Sequence, residues 1–260
     1  MIDITSTTIV KSSKSKILPK NAVFIVGLPG LGSIGSIVVD LLIKQFKGVP
    51  IATMYSNKFP PHVLMLENGE IRFLNNTFYF IKGPNKKNDL VLLTGDTQAV
   101  TPEGQYEVNA KIINFFKTEI KGKFMLAIGG YAQQETEIKV PRVFGNVTDE
   151  KLIGRFKNYD IIFNQTRGLI YGSLGLLMAM AKSNDIEGLC LMGEVQNVEL
   201  DPNAVKSVLS VLNKLLGITI NTKDIDELIK TIDKTNAKLL QDLNMPAPLN
   251  NDEAQPSYIR

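Results

Sequence analysis

Apolar positions along the chain follow two spacings, one typical of short buried strands and one typical of amphipathic helices. The predicted strands are 22–26, 49–55, 63–66, 71–74, 78–81, 90–93, 124–128, 161–163 and 188–192. The predicted helices are 32–46, 107–120, 148–157, 173–182, 201–217 and 223–243. Because the strands alternate with helices, we predict an α/β fold: a three-layer sandwich with a mostly parallel central sheet.

Turn-forming residues and changes in composition refine this picture. Asn68-Gly69 and Asn75-Asn76 predict an antiparallel insertion near residues 63–82. We expect four segments, listed here in chain order: an N-terminal extension at 1–19, an α/β domain at 20–221, a C-terminal helix at 222–244 and a flexible tail at 245–260. The tail has three prolines and few apolar residues, so it is not expected to build a core.

The composition excludes several classes of protein. The chain has 260 residues, 44% hydrophobic and 21% charged, with a net charge of +3, which suits a globular domain rather than a nucleic-acid-binding protein. A single cysteine and a single histidine argue against a disulfide framework, a metal site and a histidine-dependent triad. We therefore predict neither a metal nor a cofactor.

No segment resembles a targeting or membrane-spanning sequence. The first twenty residues are polar and basic without an apolar centre, unlike a secretory signal. The longest uncharged run, 21–39, is interrupted by glycines and a proline and predicts a strand, a loop and a helix start instead. Cys190 lies in an apolar stretch, which suits a reducing compartment. We expect a soluble, cytoplasmic protein without a membrane partner.

Glycines and acids near the predicted strand ends are the candidates for chemistry. Gly30, Gly32 and Gly35 form a GxGxxG pattern between a strand and a helix, which is typical of pyrophosphate binding. The acid expected about twenty residues later is missing, and so is a P-loop lysine, so we favour tight helix packing. Asp96 and Glu194 follow buried strands and, with these glycines and Gly129-Gly130, outline a possible crevice. Such acids also cap helices or face solvent.

Several segments, taken in order, resemble one known family. The segments are VGLPGLGSIGS at 26–36, FPPHV at 59–63, TGDTQAVTPEGQYE at 94–107, VPRVFGNVTDEKL at 140–152 and IYGSLGLLMAMAKSNDIEGLCLMGE at 170–194. Together they are similar to the archaeal branch of the proteasome-assembly-chaperone family, and the similarity covers roughly residues 20–220.

This resemblance implies a fold similar to nucleoside phosphorylases without their catalytic residues. It also implies homo-oligomers that act as chaperones of the proteasome core particle and engage its α-subunit ring through tails ending in hydrophobic-Tyr-any. Tyr258 takes the hydrophobic place, Ile259 the tyrosine place and Arg260 the last, so the tyrosine stands one position early. These three residues are the predicted partner-binding site.

Two functions from different classes remain open at this stage. The first is a non-enzymatic assembly chaperone that binds proteasome α subunits, with further copies of itself and a paralogue as the other candidate partners. The second is a nucleotide- or nucleoside-binding enzyme, similar to an ATP-grasp ligase or a phosphorylase, that uses the crevice. A scaffold for an unrelated partner is a third possibility. The oligomer number does not follow from the sequence.

Overall fold

A computed structural model describes residues 5–12, 19–84, 88–132, 140–163 and 168–223, together with Ile225 and Glu227. The chain divides into two compact units, Met1–Thr222 and Lys223–Arg260. Most of the predicted helix 223–243 and the whole tail 245–260 lie outside the described residues.

The first unit contains ten strands and five α-helices among its described residues. The strands are β1 (Thr8–Lys11), β2 (Val23–Val26), β3 (Val49–Tyr55), β4 (Val63–Met65), β5 (Ile71–Phe73), β6 (Asn76–Ile81), β7 (Leu90–Gly95), β8 (Phe124–Ala132), β9 (Val143–Val147) and β10 (Gly188–Val195). The helices are α1 (Ile34–Gln45), α2 (Pro102–Phe115), α3 (Ile153–Phe156), α4 (Gly172–Ser183) and α5 (Pro202–Leu216).

Eight strands form one sheet in the order β1-β3-β6-β7-β2-β8-β10-β9, and β4 and β5 form a separate two-stranded ribbon. The α/β class is confirmed, but the sheet is mixed rather than mostly parallel. Only β7, β2, β8 and β10 run parallel to one another. Strands β6 and β7 are joined by residues 82–89, a connection too short for a crossover helix, so they pair antiparallel.

Helices cover the parallel part of the sheet on both faces. Helix α1 packs on β7 and β8 and α5 on β10, while α4 packs on β8 and β10 from the other face, beside α2. Successive side chains along β2 point to opposite faces of the sheet, and Phe24 and Val26 point to the face covered by α2 and α4, where they join the core. Helix α5 begins as predicted, with the Asp201 carboxylate accepting from the Ala204 N–H at 2.9 Å, and Gly217 ends it at φ +62°.

Three local features differ from the sequence-based expectation. The stretch 1–19, set apart as an extension, contains β1, which pairs antiparallel with β3 at the edge of the sheet. The sequence predicts no strand between residues 128 and 161, but β9 lies there and pairs antiparallel with β10. The predicted strand 161–163 makes a single bridge, from Ile162 to Phe144. Among the described helices, none combines the length and the apolar character that a bilayer crossing requires.

Candidate functional site

A cavity of about 650 Å³ lies where β2, β8 and β10 end, between two glycine-rich loops. We call it the crevice. It is lined by Val26, Leu28, Gly30, Leu31, Gln98, Ile128–Ala132, Leu169–Leu174, Met192 and Val198. None of these lining residues carries a carboxylate, a cationic side chain, an imidazole or a thiol. The described part of the crevice lining is therefore uncharged and largely apolar, and its aromatic groups are Tyr131 and Tyr171.

Backbone N–H groups in the first glycine-rich loop donate hydrogen bonds to carbonyl groups of the protein itself. The Gly32 N–H donates to the Val198 carbonyl at 2.7 Å, and the Ser33 N–H donates to the Gly30 carbonyl at 2.9 Å. Phosphate binding at a helix N-terminus needs such N–H groups to be free. Of the three predicted glycines, only Gly30 lines the crevice, and the amides of Gly32 and Ser33 already have partners.

Gly35 serves the packing of α1 against the sheet. A Cβ atom at this position would lie 2.5 Å from the Ile128 carbonyl oxygen and 3.1 Å from that of Leu28. Both are backbone atoms, so neither can move aside cheaply. Only glycine lets the first turn of α1 approach β8 this closely.

Gln98 links the two glycine loops, and nothing in the sequence pattern singled it out. Its Nε2 donates to the Pro29 carbonyl at 2.7 Å, and its Oε1 accepts from the Ser173 N–H at 2.8 Å. Ser173 Oγ in turn donates to Oδ1 of the buried Asn109 at 2.5 Å. The polar groups at this end of the crevice are therefore satisfied by one another.

Asp96 lies at a strand end, as predicted, but it does not line the crevice. Its carboxylate accepts two hydrogen bonds from Arg72, at 2.6 and 3.0 Å, and one from the Asn75 N–H at 2.8 Å. This pairing raises the pKa of Arg72. Asp96 thus fastens the β4–β5 ribbon to the end of β7.

Glu194 is also a structural acid. Its carboxylate is buried and accepts from the Arg142 backbone N–H at 3.0 Å and from Arg142 Nε at 2.9 Å, with Nη2 as a third donor. These bonds hold the pKa of Glu194 below its usual value. A carboxylate that is ionised and fully bonded in this way is a poor general acid or base. The structure therefore does not bring Asp96 and Glu194 together at the crevice.

Asp40 and Cys190 also have perturbed pKa values. Desolvation raises the pKa of Asp40 on α1 to about 6; repulsion from Asp96 adds to the shift and the Thr94 hydroxyl opposes it. Burial raises the pKa of the Cys190 thiol to about 12, so this cysteine stays protonated near neutral pH. Among the described residues, no group of three or more His, Cys, Asp and Glu side chains could hold a metal ion. Tyr258, Ile259 and Arg260 lie outside the described part of the chain.

The family model for the PAC2 family matches residues 24–240, which is most of the chain. The chain belongs to the PAC2 family. A relative in this family, the uncharacterized Methanocaldococcus jannaschii protein MJ1210, is 34% identical over 220 residues, covering 85% of this chain and 83% of that protein. The resemblance seen in the sequence is confirmed.

Solved structures of similar proteins agree with this PAC2 assignment. Pyrococcus furiosus PbaB, described as an archaeal proteasome activator, is 32% identical, with a TM-score of 0.80, covering 91% of this chain and all of PbaB. Pyrococcus furiosus PbaA, described as an archaeal homolog of proteasome-assembly chaperone, is 24% identical, with a TM-score of 0.71 and coverage of 92% and 93%. The PbaA match supports the fold.

Proposed function

We propose that this PAC2-family protein is a non-enzymatic, cytoplasmic assembly chaperone that binds the α-subunit ring of the proteasome core particle. The observation that carries the proposed binding to the proteasome is the match to PbaB, described as an archaeal proteasome activator, at 32% identity over its full length. The assembly-chaperone role rests on the resemblance of the sequence to the proteasome-assembly-chaperone family. The crevice supports the non-enzymatic part, because the lining residues that the structure describes are uncharged and the predicted acids are engaged in ion pairs elsewhere.

The C-terminal residues Tyr258, Ile259 and Arg260 are the proposed contact with the ring. A peptide that ends in apolar side chains and a carboxylate can dock in a groove, where the carboxylate meets a lysine or backbone amides. With the tyrosine one position early, we expect the carboxylate and Ile259 to carry this contact and the phenol to contribute less.

Activation of the assembled proteasome is the second candidate function, because PbaB is described as an activator. The two roles differ in the species that is bound. A chaperone binds free α subunits or partial rings and increases the yield of complete particles, whereas an activator binds the finished particle and increases its peptide hydrolysis. We also propose that the protein associates with itself, and that a paralogue is a possible additional subunit.

A binding experiment with tail variants tests the C-terminal contact and separates the chaperone from the activator by the species that is bound. We would compare the full chain, a chain ending at Leu249, Ile259→Ala and the control Ser257→Ala, each mixed with free α subunits and with assembled core particle from the same source. We expect the full chain and Ser257→Ala to bind α subunits, Ile259→Ala to bind at least tenfold more weakly, and the shortened chain to lose binding. Binding to the finished particle alone, with faster peptide hydrolysis, would favour the activator. Binding to neither would refute both.

A further inference from the structure

The β4–β5 ribbon presents four large apolar side chains on one face. Its register pairs Val63 with Phe73 and Met65 with Ile71, which places all four on the same side. Their exposed fractions are 49% for Val63, 50% for Phe73, 85% for Met65 and 70% for Ile71. We call this surface the ribbon face.

The opposite side of the ribbon is attached to the body of the protein. Leu64 and Arg72, which form the central pair, are half-buried, and Arg72 makes its two hydrogen bonds with Asp96. The ribbon is therefore held in place while its apolar face points outward. An uncovered two-stranded ribbon is marginally stable in water, so burial of this face would be favourable.

The size of the ribbon face suits a contact between proteins. Four large apolar residues that are each exposed by about half or more form a patch on the scale of the largest apolar patches of monomers, roughly 300–600 Å². Two such faces in contact would remove roughly 1,000 Å² from water, near the lower limit of specific interfaces. None of the four residues is charged, so two copies can face each other without placing like charges together.

The ribbon face also carries a protrusion at one end and a cavity at the other. A cavity of about 320 Å³ lies at the base of the ribbon and is lined by Phe59, Pro61, Val63 and Phe73, among others. Met65, the most exposed of the four, stands at the opposite end, and its side chain is long and adaptable. A two-fold axis between two such faces would bring each protrusion to the cavity of the other copy.

We propose that the ribbon face is the contact between two copies of this chain, related by a two-fold axis that lies between the two ribbon faces, runs across the strands and stands at the level of the Leu64–Arg72 pair. In this arrangement Met65 and Ile71 of one copy lie over Val63 and Phe73 of the other, and each Met65 enters the cavity of its neighbour. The inference rests on the self-association in the proposed function and is independent of binding to the core particle.

Measuring the mass of the full-length protein by sedimentation equilibrium tests the contact. Met65→Lys and Ile71→Lys each place a charge in the ribbon face and should raise the dissociation constant at least tenfold, so that the mass falls. Val49→Lys is the matched control. Val49 is exposed as well, at 50%, but it is the first residue of β3 and lies outside the ribbon, so this variant should keep the wild-type mass. Thermal unfolding of each variant verifies that the fold is intact.

Disulfide trapping provides a second readout that does not depend on weakening the contact. Met65→Cys and Val63→Cys chains, co-expressed and oxidised, should form the mixed 65–63 dimer in excess over either like dimer, since Cys190 is buried. Unchanged mass in the lysine variants without the mixed dimer would overturn the ribbon face as the contact while leaving self-association intact. If these variants lose only core-particle binding, the face belongs to that partner and the inference is wrong. A monomeric wild type that still binds α subunits would refute the self-association and leave the chaperone function standing.

Discussion

The side-chain oxygen of Gln98 accepts a hydrogen bond from the backbone N–H of Ser173 at 2.8 Å. Ser173 lies in the first turn of α4, where N–H groups have no partner within the helix. The cap is supplied by a side chain 75 residues away in the sequence, and the same side chain also donates to Pro29. One glutamine therefore holds both loops of the crevice together. It also occupies the Ser173 N–H, a donor that an anionic ligand would need.

Replacing Gln98 should loosen both loops at once. We expect Gln98→Ala to lower the free energy of unfolding by about 1–3 kcal/mol, because the Ser173 N–H and the Pro29 carbonyl lose their partner. Gln196→Ala, at an exposed glutamine, should change it by less than about 0.5 kcal/mol. Urea unfolding at pH 7 measures both values. Equal effects of the two changes would show that the link contributes nothing to stability.

The elements that cover or form the middle of the sheet were predictable from the sequence, whereas the edges were not. Helices α1 and α5 bury continuous apolar stripes, which the spacing of their residues shows directly. Strand β1 lies at an edge and contains only Ile9 and Val10 as apolar residues, so it leaves a weak pattern. Strand order depends on which connections pass over the sheet to a non-adjacent strand. The spacing of apolar residues within an element carries little information about these connections.

The site was predicted less well because its contacts are distant in sequence. Asp96 and Glu194 were correctly placed at strand ends, but their arginine partners lie 24 and 52 residues away. Periodicity within an element cannot show such pairs. The same holds for Gln98, whose role depends on two loops that meet only in the folded protein.

The Glu194–Arg142 pair should make stability sensitive to acid. Because the folded pKa of Glu194 lies below its usual value, the pair contributes stability above the usual pKa and loses it as the pH falls through the lowered value. We expect Glu194→Gln to cost about 2 kcal/mol at pH 7, less than for a fully buried pair because the Arg142 side chain is 37% exposed. The cost should shrink as the pH falls below the ordinary pKa of a glutamate. Urea unfolding at several pH values measures it.

The matched control for this pair is Glu187→Gln. Glu187 pairs with Arg155 at 3.4 Å, and both side chains are more than half exposed. Its removal should cost less than about 1 kcal/mol at any pH. If Glu194→Gln lowers the free energy of unfolding by the same amount at every pH, the negative charge of Glu194 is not what stabilises the fold.

Asp40 should have the opposite pH dependence. Its folded pKa of about 6 lies above the ordinary 3.8, so its contribution is fully present below pH 3.8 and is lost as the pH rises through 6. We expect Asp40→Asn to raise the free energy of unfolding by about 1–2 kcal/mol at pH 7.5, after allowance for its partial exposure, and to change little at pH 3.5. Asp185→Asn, at an exposed carboxylate, should show no such difference between the two pH values. A gain for Asp40→Asn that is equal at both would contradict desolvation as the cause.

Nucleotides should not bind in the crevice, despite its glycine-rich loops. A triphosphate brings several negative charges, and an anion site needs free N–H donors or cations. Among the described lining residues none is cationic, while the amides of Gly32, Ser33 and Ser173 already have acceptors. We expect 1 mM ATP or AMP to leave the melting temperature unchanged. A saturable rise with ATP that disappears in Tyr171→Ala, which alters the exposed mouth of the crevice, and persists in Val49→Lys would overturn this expectation. It would also revive the enzymatic alternative.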